Sequence, residues 1–134
     1  MAAITAEGLV KVFPSRSGEV RALDGVSVDF EAGRYTAIMG PSGSGKSTLM
    51  HALAGLDTIT AGAVYIGDTH LAKRNEKKLT KLRRDRVGFV FQAYNLIPTL
   101  TAIENITLPM RLAGKRPDKA WLNNVVETVG LKSR

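Results

Sequence analysis

The stretch Gly40-Pro41-Ser42-Gly43-Ser44-Gly45-Lys46-Ser47 decides the fold. It matches G-x-x-x-x-G-K-[ST] in full, the pattern of a glycine-rich turn that wraps phosphate groups. A dense anion is best received by a ring of backbone N–H groups at a helix N-terminus. Glycines at 40, 43 and 45 let the main chain wrap closely with torsions that a Cβ would forbid. Lys46 sets a mobile ammonium against β- and γ-phosphate oxygens, and the Ser47 hydroxyl is a hard oxygen ligand for Mg²⁺. Thr48 adds a further hydroxyl and amide for the α-phosphate. With Pro41, Ser42 and Ser44 completing the turn, residues 40–48 are the candidate site for a triphosphate and Mg²⁺.

The flanks agree with this reading. Residues 35–39 form a short, mostly apolar run, as expected of a strand buried on both faces. Residues 46–56 are rich in helix formers, with Leu49, Leu53 and Leu56 at spacings of four and three. Val26, Val28 and Phe30 alternate with polar residues, which predicts a strand, and residues 31–34 read as the turn after it. Residues 62–66 predict a strand ending in a Gly67-Asp68 turn, residues 76–85 a charged helix, and residues 87–91 another apolar strand. Beyond Gln92 the pattern becomes helical. Thr101 and Glu104 fit a capping box, and Pro109 is expected to kink or end that helix. Pro117 and Asp118 open another, with Trp121, Val125 and Val129 along one face and a stop at Gly130-Leu131.

Composition narrows the function classes. The chain has 134 residues, 44% hydrophobic and 23% charged, which is globular rather than disordered. No apolar run approaches a membrane span, and residues 1–14 lack the basic start and apolar stretch of a signal peptide. The absence of cysteine excludes disulfides, thiolate metal sites and cysteine nucleophiles, and points to the cytosol. His51 and His70 are too far apart in sequence to suggest a metal pair. Most of the net charge of +7 sits in residues 73–86, where eight lysines and arginines face two acids. No aromatics interleave with these charges, so the stretch reads as a solvated helix face and nucleic acid as an unlikely partner. A guanine-specific N-K-x-D tetrapeptide does not occur.

These motifs together resemble the ATP-binding subunits of ABC transporters. The likeness covers the phosphate loop, the following Ala54-Gly55-Leu56-Asp57, the hairpin from Ala61-Gly62 to Asp68, and Arg83-Arg84-Asp85-Arg86-Val87-Gly88-Phe89-Val90-Phe91-Gln92. Residues 95–101 and 104–106 are most similar to the lipoprotein-releasing and macrolide-exporter branch. The resemblance implies an α/β fold of the P-loop NTPase class, here the N-terminal part of an ABC-type nucleotide-binding domain. Such a part holds an incomplete parallel sheet with an antiparallel β segment, then the start of a helical subdomain. It places residues 1–92 in the ATP-binding core and residues 93–134 in the Q-loop and helical start. It implies that Gln92 reaches Mg²⁺ and the attacking water, and that Phe13 stacks on adenine. The implied partners are ATP, a membrane-spanning transporter subunit and a second copy in a head-to-tail dimer, on the inner face of the cell membrane.

The departures limit the chemistry. The family's signature motif, second acidic motif, catalytic glutamate and switch histidine have no counterpart in these 134 residues. Val64-Tyr65-Ile66-Gly67-Asp68 mimics the acidic motif, but Thr69 stands where the glutamate belongs. The resemblance therefore implies an ATPase as parent and little or no turnover by this chain alone. The other reading open to the sequence is an ABC-type ATPase head of a DNA-repair or nucleotide-sensing protein, with the basic stretch as its support.

Overall fold

A computed structural model describes residues 1–71 and 75–134. Lys73 and Arg74 of the basic stretch lie outside the described residues. The chain is α/β, with two compact units, residues 1–83 and residues 84–134.

The first unit is built on a long hairpin. Strands β1 (Ala2–Ser15) and β2 (Gly18–Glu31) pair antiparallel across a two-residue turn. Strand β3 (Ala61–Ile66) pairs with the other edge of β1, and the short β4 (Thr69–His70) closes on β3 through the Gly67-Asp68 turn. The sheet order is β2-β1-β3-β4. Along β2 the predicted alternation holds, with Val26, Val28 and Phe30 shielded and Ser27 and Asp29 exposed. Pro14 has no N–H to give, and it sits beyond Val10, where the pairing of β1 with β3 ends. Helix α1 (Lys46–Leu53) completes the unit. The core is Ala6 and Leu9 of β1, Leu23 of β2, Val64 and Ile66 of β3, and Ala52 and Leu53 of α1.

Two expectations fail here. Residues 35–39 and 87–91 are not strands, and every described pairing is antiparallel. Tyr35 is 99% exposed, Met39 88% and Val90 93%. A strand exists only through ladder hydrogen bonds to a neighbour, and neither run has such a neighbour among the described residues. Apolar composition gave both runs the character of buried strands, but composition cannot supply the partner.

Helix α2 (Glu76–Arg86) is the predicted charged helix; it turns Glu76, Leu79 and Arg83 toward a cavity and leaves Lys77, Lys78 and Lys81 exposed. In the second unit, helix α3 (Ala102–Leu112) begins with the predicted capping box: Thr101 Oγ1 accepts from Glu104 N at 3.2 Å, and Thr101 N donates to Glu104 Oε2 at 2.7 Å. The Asn105 amide closes the preceding loop, accepting from Ile97 N at 2.8 Å and donating to Thr101 O at 2.9 Å. Pro109 does not end the helix, which runs on to Leu112. The proline removes one N–H near the helix end, but the amides of Ala113, Gly114 and Lys115 still bond back to Pro109, Arg111 and Met110. Helix α4 (Lys119–Thr128) is capped by Asp118, whose Oδ1 accepts from Trp121 N at 2.8 Å. It stops as expected: Gly130 is left-handed at φ 76°, and Leu131 N bonds Val126 O at 2.9 Å.

The backbone N–H of Thr101, then its hydroxyl, hold the Glu104 carboxyl below its ordinary pKa. The folded value lies under the unfolded one, so this contribution is complete above the unfolded value and is lost as pH falls through the folded one. Thr101→Ala is expected to cost about 1 kcal/mol in urea unfolding at neutral pH. Glu104→Gln keeps the box but removes the proton, so its acid-side loss of helical circular dichroism should be smaller than that of the wild type.

Candidate functional site

Helix α1 starts at Lys46, directly after the glycine-rich turn. Its N-cap, Gly45, sits at φ 93°, a left-handed conformation that side chains resist. A Cβ there would lie 2.5 Å from the carbonyl oxygen of Ala22 in β2. The glycine therefore serves two needs, a torsion and a close approach. It lets the helix begin hard against the hairpin.

The start of α1 differs from the other helix starts. Asn75 accepts from Lys78 N at 2.9 Å at the start of α2, and Thr101 and Asp118 cap α3 and α4. Gly45 offers no side-chain cap, and the first turn of α1 carries no acidic residue. The positive end of its dipole thus faces the loop without a protein carboxylate to answer it.

Lys46 folds back across the turn. Its Nζ donates to Gly40 O at 2.6 Å, to Pro41 O at 2.8 Å and to Ser44 Oγ at 3.4 Å. Ser44 N bonds Pro41 O at 3.2 Å, which tightens the same turn. Residues 40–44 are exposed, as is Ser47, while Gly45, Lys46 and Thr48 are half-buried. The structure thus brings Lys46, Ser47 and Thr48 into one helical turn directly after the exposed, glycine-rich segment. The donor set fits a phosphate chain: backbone amides, an ammonium and hydroxyls.

Phe13 lies in β1 opposite Val20, at the turn end of the hairpin. Gly45 meets the same strand β2 two residues further on, at Ala22. The ring is 38% exposed. Gln92 belongs to the second unit, where it is exposed and lies in a bend. A separate cavity of about 580 Å³ is lined by the C-terminal end of α1, Val64, Leu71 and one face of α2, and no phosphate-loop residue borders it.

The sequence reading missed Lys11. It is buried, with its Nζ donating to Thr58 O at 2.6 Å, Asp57 Oδ1 at 3.2 Å and Thr58 Oγ1 at 3.3 Å. Its spacing of two from Phe13 was the available signal, since alternate residues of a strand share a face. The Nζ lies 5.0 Å from the centre of the Phe13 ring.

A family model described as ABC transporter matches residues 23–134. The chain belongs to the ABC transporter family. Among ABC transporter relatives, the lipoprotein-releasing system ATP-binding protein LolD of Legionella pneumophila is 42% identical over 133 residues, covering 98% of this chain and 59% of that protein. An uncharacterized ABC transporter ATP-binding protein of Mycobacterium tuberculosis is 46% identical over 123 residues, covering 89% of this chain and 50% of its own length. The solved dimer of the ABC transporter cassette MJ0796, from Methanocaldococcus jannaschii, superposes with a TM-score of 0.83 at 38% identity, covering 92% of this chain and 54% of that one. A post-hydrolysis dimer of the same cassette, bound to ADP and Pi, gives a TM-score of 0.81 at 37% identity, covering 90% of this chain and 53% of that one. This ABC transporter chain spans about half the length of the relatives it matches.

The two loop glycines should respond unequally to alanine. At Gly45 the new Cβ would meet the fixed Ala22 carbonyl at 2.5 Å in a left-handed backbone, whereas at Gly40 it would meet the Ser44 hydroxyl at 2.8 Å, which can rotate away. Gly45→Ala is expected to lose about 2 kcal/mol or more of stability, and Gly40→Ala clearly less. Paired thermal melts would contradict this by showing equal losses.

Proposed function

We propose that this chain binds Mg-ATP through residues 40–48 as the ATP-binding part of an ABC transporter's nucleotide-binding subunit. The observation that carries the reading is the start of α1: an N-terminus without a side-chain cap, beside a lysine that already bonds the loop's own oxygens. Lys46 exchanges the carbonyls of Gly40 and Pro41 for β- and γ-phosphate oxygens. The amides of the first turn of α1 take the remaining phosphate charge, aided by Thr48. The Ser47 hydroxyl and the Gln92 side-chain oxygen are the proposed Mg²⁺ ligands, and Gln92 also orients the attacking water. Mg²⁺, when bound, would offset the negative charge of the phosphates. Phe13 offers a π-face to the adenine, a stack worth about 1–3 kcal/mol by analogy with base stacking.

In this reading residues 1–92 form part of the ATP-binding core and residues 93–134 the Q-loop and the start of the helical subdomain. The full protein hydrolyses ATP in a head-to-tail dimer, bound through a membrane-spanning subunit to the inner face of the membrane. Among the described residues no helix is long and apolar enough to cross a membrane. Hydrolysis needs a carboxylate to orient water and an opposing signature motif, and residues 1–134 contain neither.

Calorimetric titration of the chain with Mg-ATP tests the binding. Lys46→Ala should weaken it by about tenfold or more, as expected for loss of a charge-assisted contact; unchanged affinity would overturn the assignment. Phosphate release by the purified chain should stay at background. Turnover that survives further purification and disappears in Lys46→Ala would show instead that these residues suffice for catalysis.

A further inference from the structure

Lys11 is the one buried charged residue among the described residues, at 8% exposure, and the phosphate chemistry makes no use of it. Lysines in strands commonly extend their ammonium to water. This one turns inward, and its three N–H groups find three oxygens on Asp57 and Thr58. The carboxylate is itself fixed, since Asp57 Oδ1 also accepts from Thr58 N at 2.8 Å. The segment that carries these groups is tied along β1: Thr60 N donates to Val10 O at 2.8 Å, and Val12 N donates to Thr60 Oγ1 at 3.0 Å. The ammonium therefore has little freedom to move, and it stands 5.0 Å from the centre of the Phe13 ring.

We propose that Lys11 is a positioning residue for the nucleotide base: its ammonium holds one face of the Phe13 ring and leaves the opposite face to stack on a purine. The proposal rests on the reading of Phe13 as the adenine platform and deepens it. A phenylalanine has no hydroxyl with which to fix its own plane. The cation supplies that anchor, because both faces of the ring carry negative potential and one of them is held by the charge. The same charge draws electron density away from the far face, which then stacks better on an electron-rich base. The ring keeps 38% exposure, so the protein does not enclose it. Through Asp57 the anchor also joins the base platform to the segment that leaves α1, the helix whose first turn faces the phosphates.

The test compares two probes on the full chain, Mg-ATP and inorganic tripolyphosphate, which can occupy the loop but has no base. Phe13→Ala should weaken Mg-ATP several-fold and leave tripolyphosphate unchanged. Lys11→Met, which keeps the bulk and removes the charge, should weaken Mg-ATP about three- to tenfold with tripolyphosphate again unchanged. Lys11→Arg should restore most of the loss. Lys11→Met added to Phe13→Ala should cost nothing further. Equal loss for both probes in Lys11→Met, or full additivity in the double variant, would make Lys11 a structural residue and overturn the proposal. A base effect in Phe13→Ala without one in Lys11→Met sinks the Lys11 inference alone, whereas no base effect in Phe13→Ala sinks the adenine platform and the inference with it. Should Lys11→Met fail to fold, Lys11→Gln removes the charge and keeps an N–H donor for the oxygens of Asp57 and Thr58. A selective loss of Mg-ATP binding there supports the proposal, and its absence overturns it.

Discussion

The start of α1 depends on the approach of Gly45 to the carbonyl of Ala22. A helix cannot start this near a strand unless its N-cap lacks a side chain, and at 2.5 Å there is no room for one. That approach fixes where α1 begins and which way its first turn faces. The turn before it has to be tight, so it is drawn from glycines and serines. The hydroxyls and the lysine that follow are then held in one helical turn. Packing and chemistry share the same glycine.

Much of this was legible because it is local. The capping box at Thr101 and Glu104, the cap at Asp118 and the stop at Gly130 each depend on residues within a few positions, and each forms as expected. The glycine-rich turn before α1 is equally local in its backbone, with Gly43 and Gly45 both left-handed. What failed was non-local. Residues 35–39 and 87–91 have strand composition, yet no ladder partner lies among the described residues. Pro109 does not end its helix, since the amides after it remain bonded.

Lys11 escaped for a third reason. Its type predicts a solvated side chain, and nothing in its immediate neighbours says otherwise. Only the fold brings Asp57 and Thr58, more than forty positions away, to its ammonium. The basic stretch after Leu71 divides similarly. Arg83 donates to the carbonyl of Gly55 and helps seat α2 on the end of α1, while Lys77, Lys78 and Lys81 stay in solvent. One run of like charges thus contains both an internal fastener and a hydrated surface.

The bonds that Lys46 makes within its own turn have a consequence for how the loop is probed. An ammonium shared by two backbone carbonyls acts as a removable keystone, since it offsets oxygen dipoles that would otherwise face one another across the turn. On the proposed reading, truncating the side chain takes away a partner for phosphate and, in the same stroke, the cation that bonds the turn's own carbonyls. The affinity lost on truncation is therefore a composite of attraction and shape. Shortening the lysine by a methylene while keeping its charge would separate the two, because reach would change while the neutralising charge stayed.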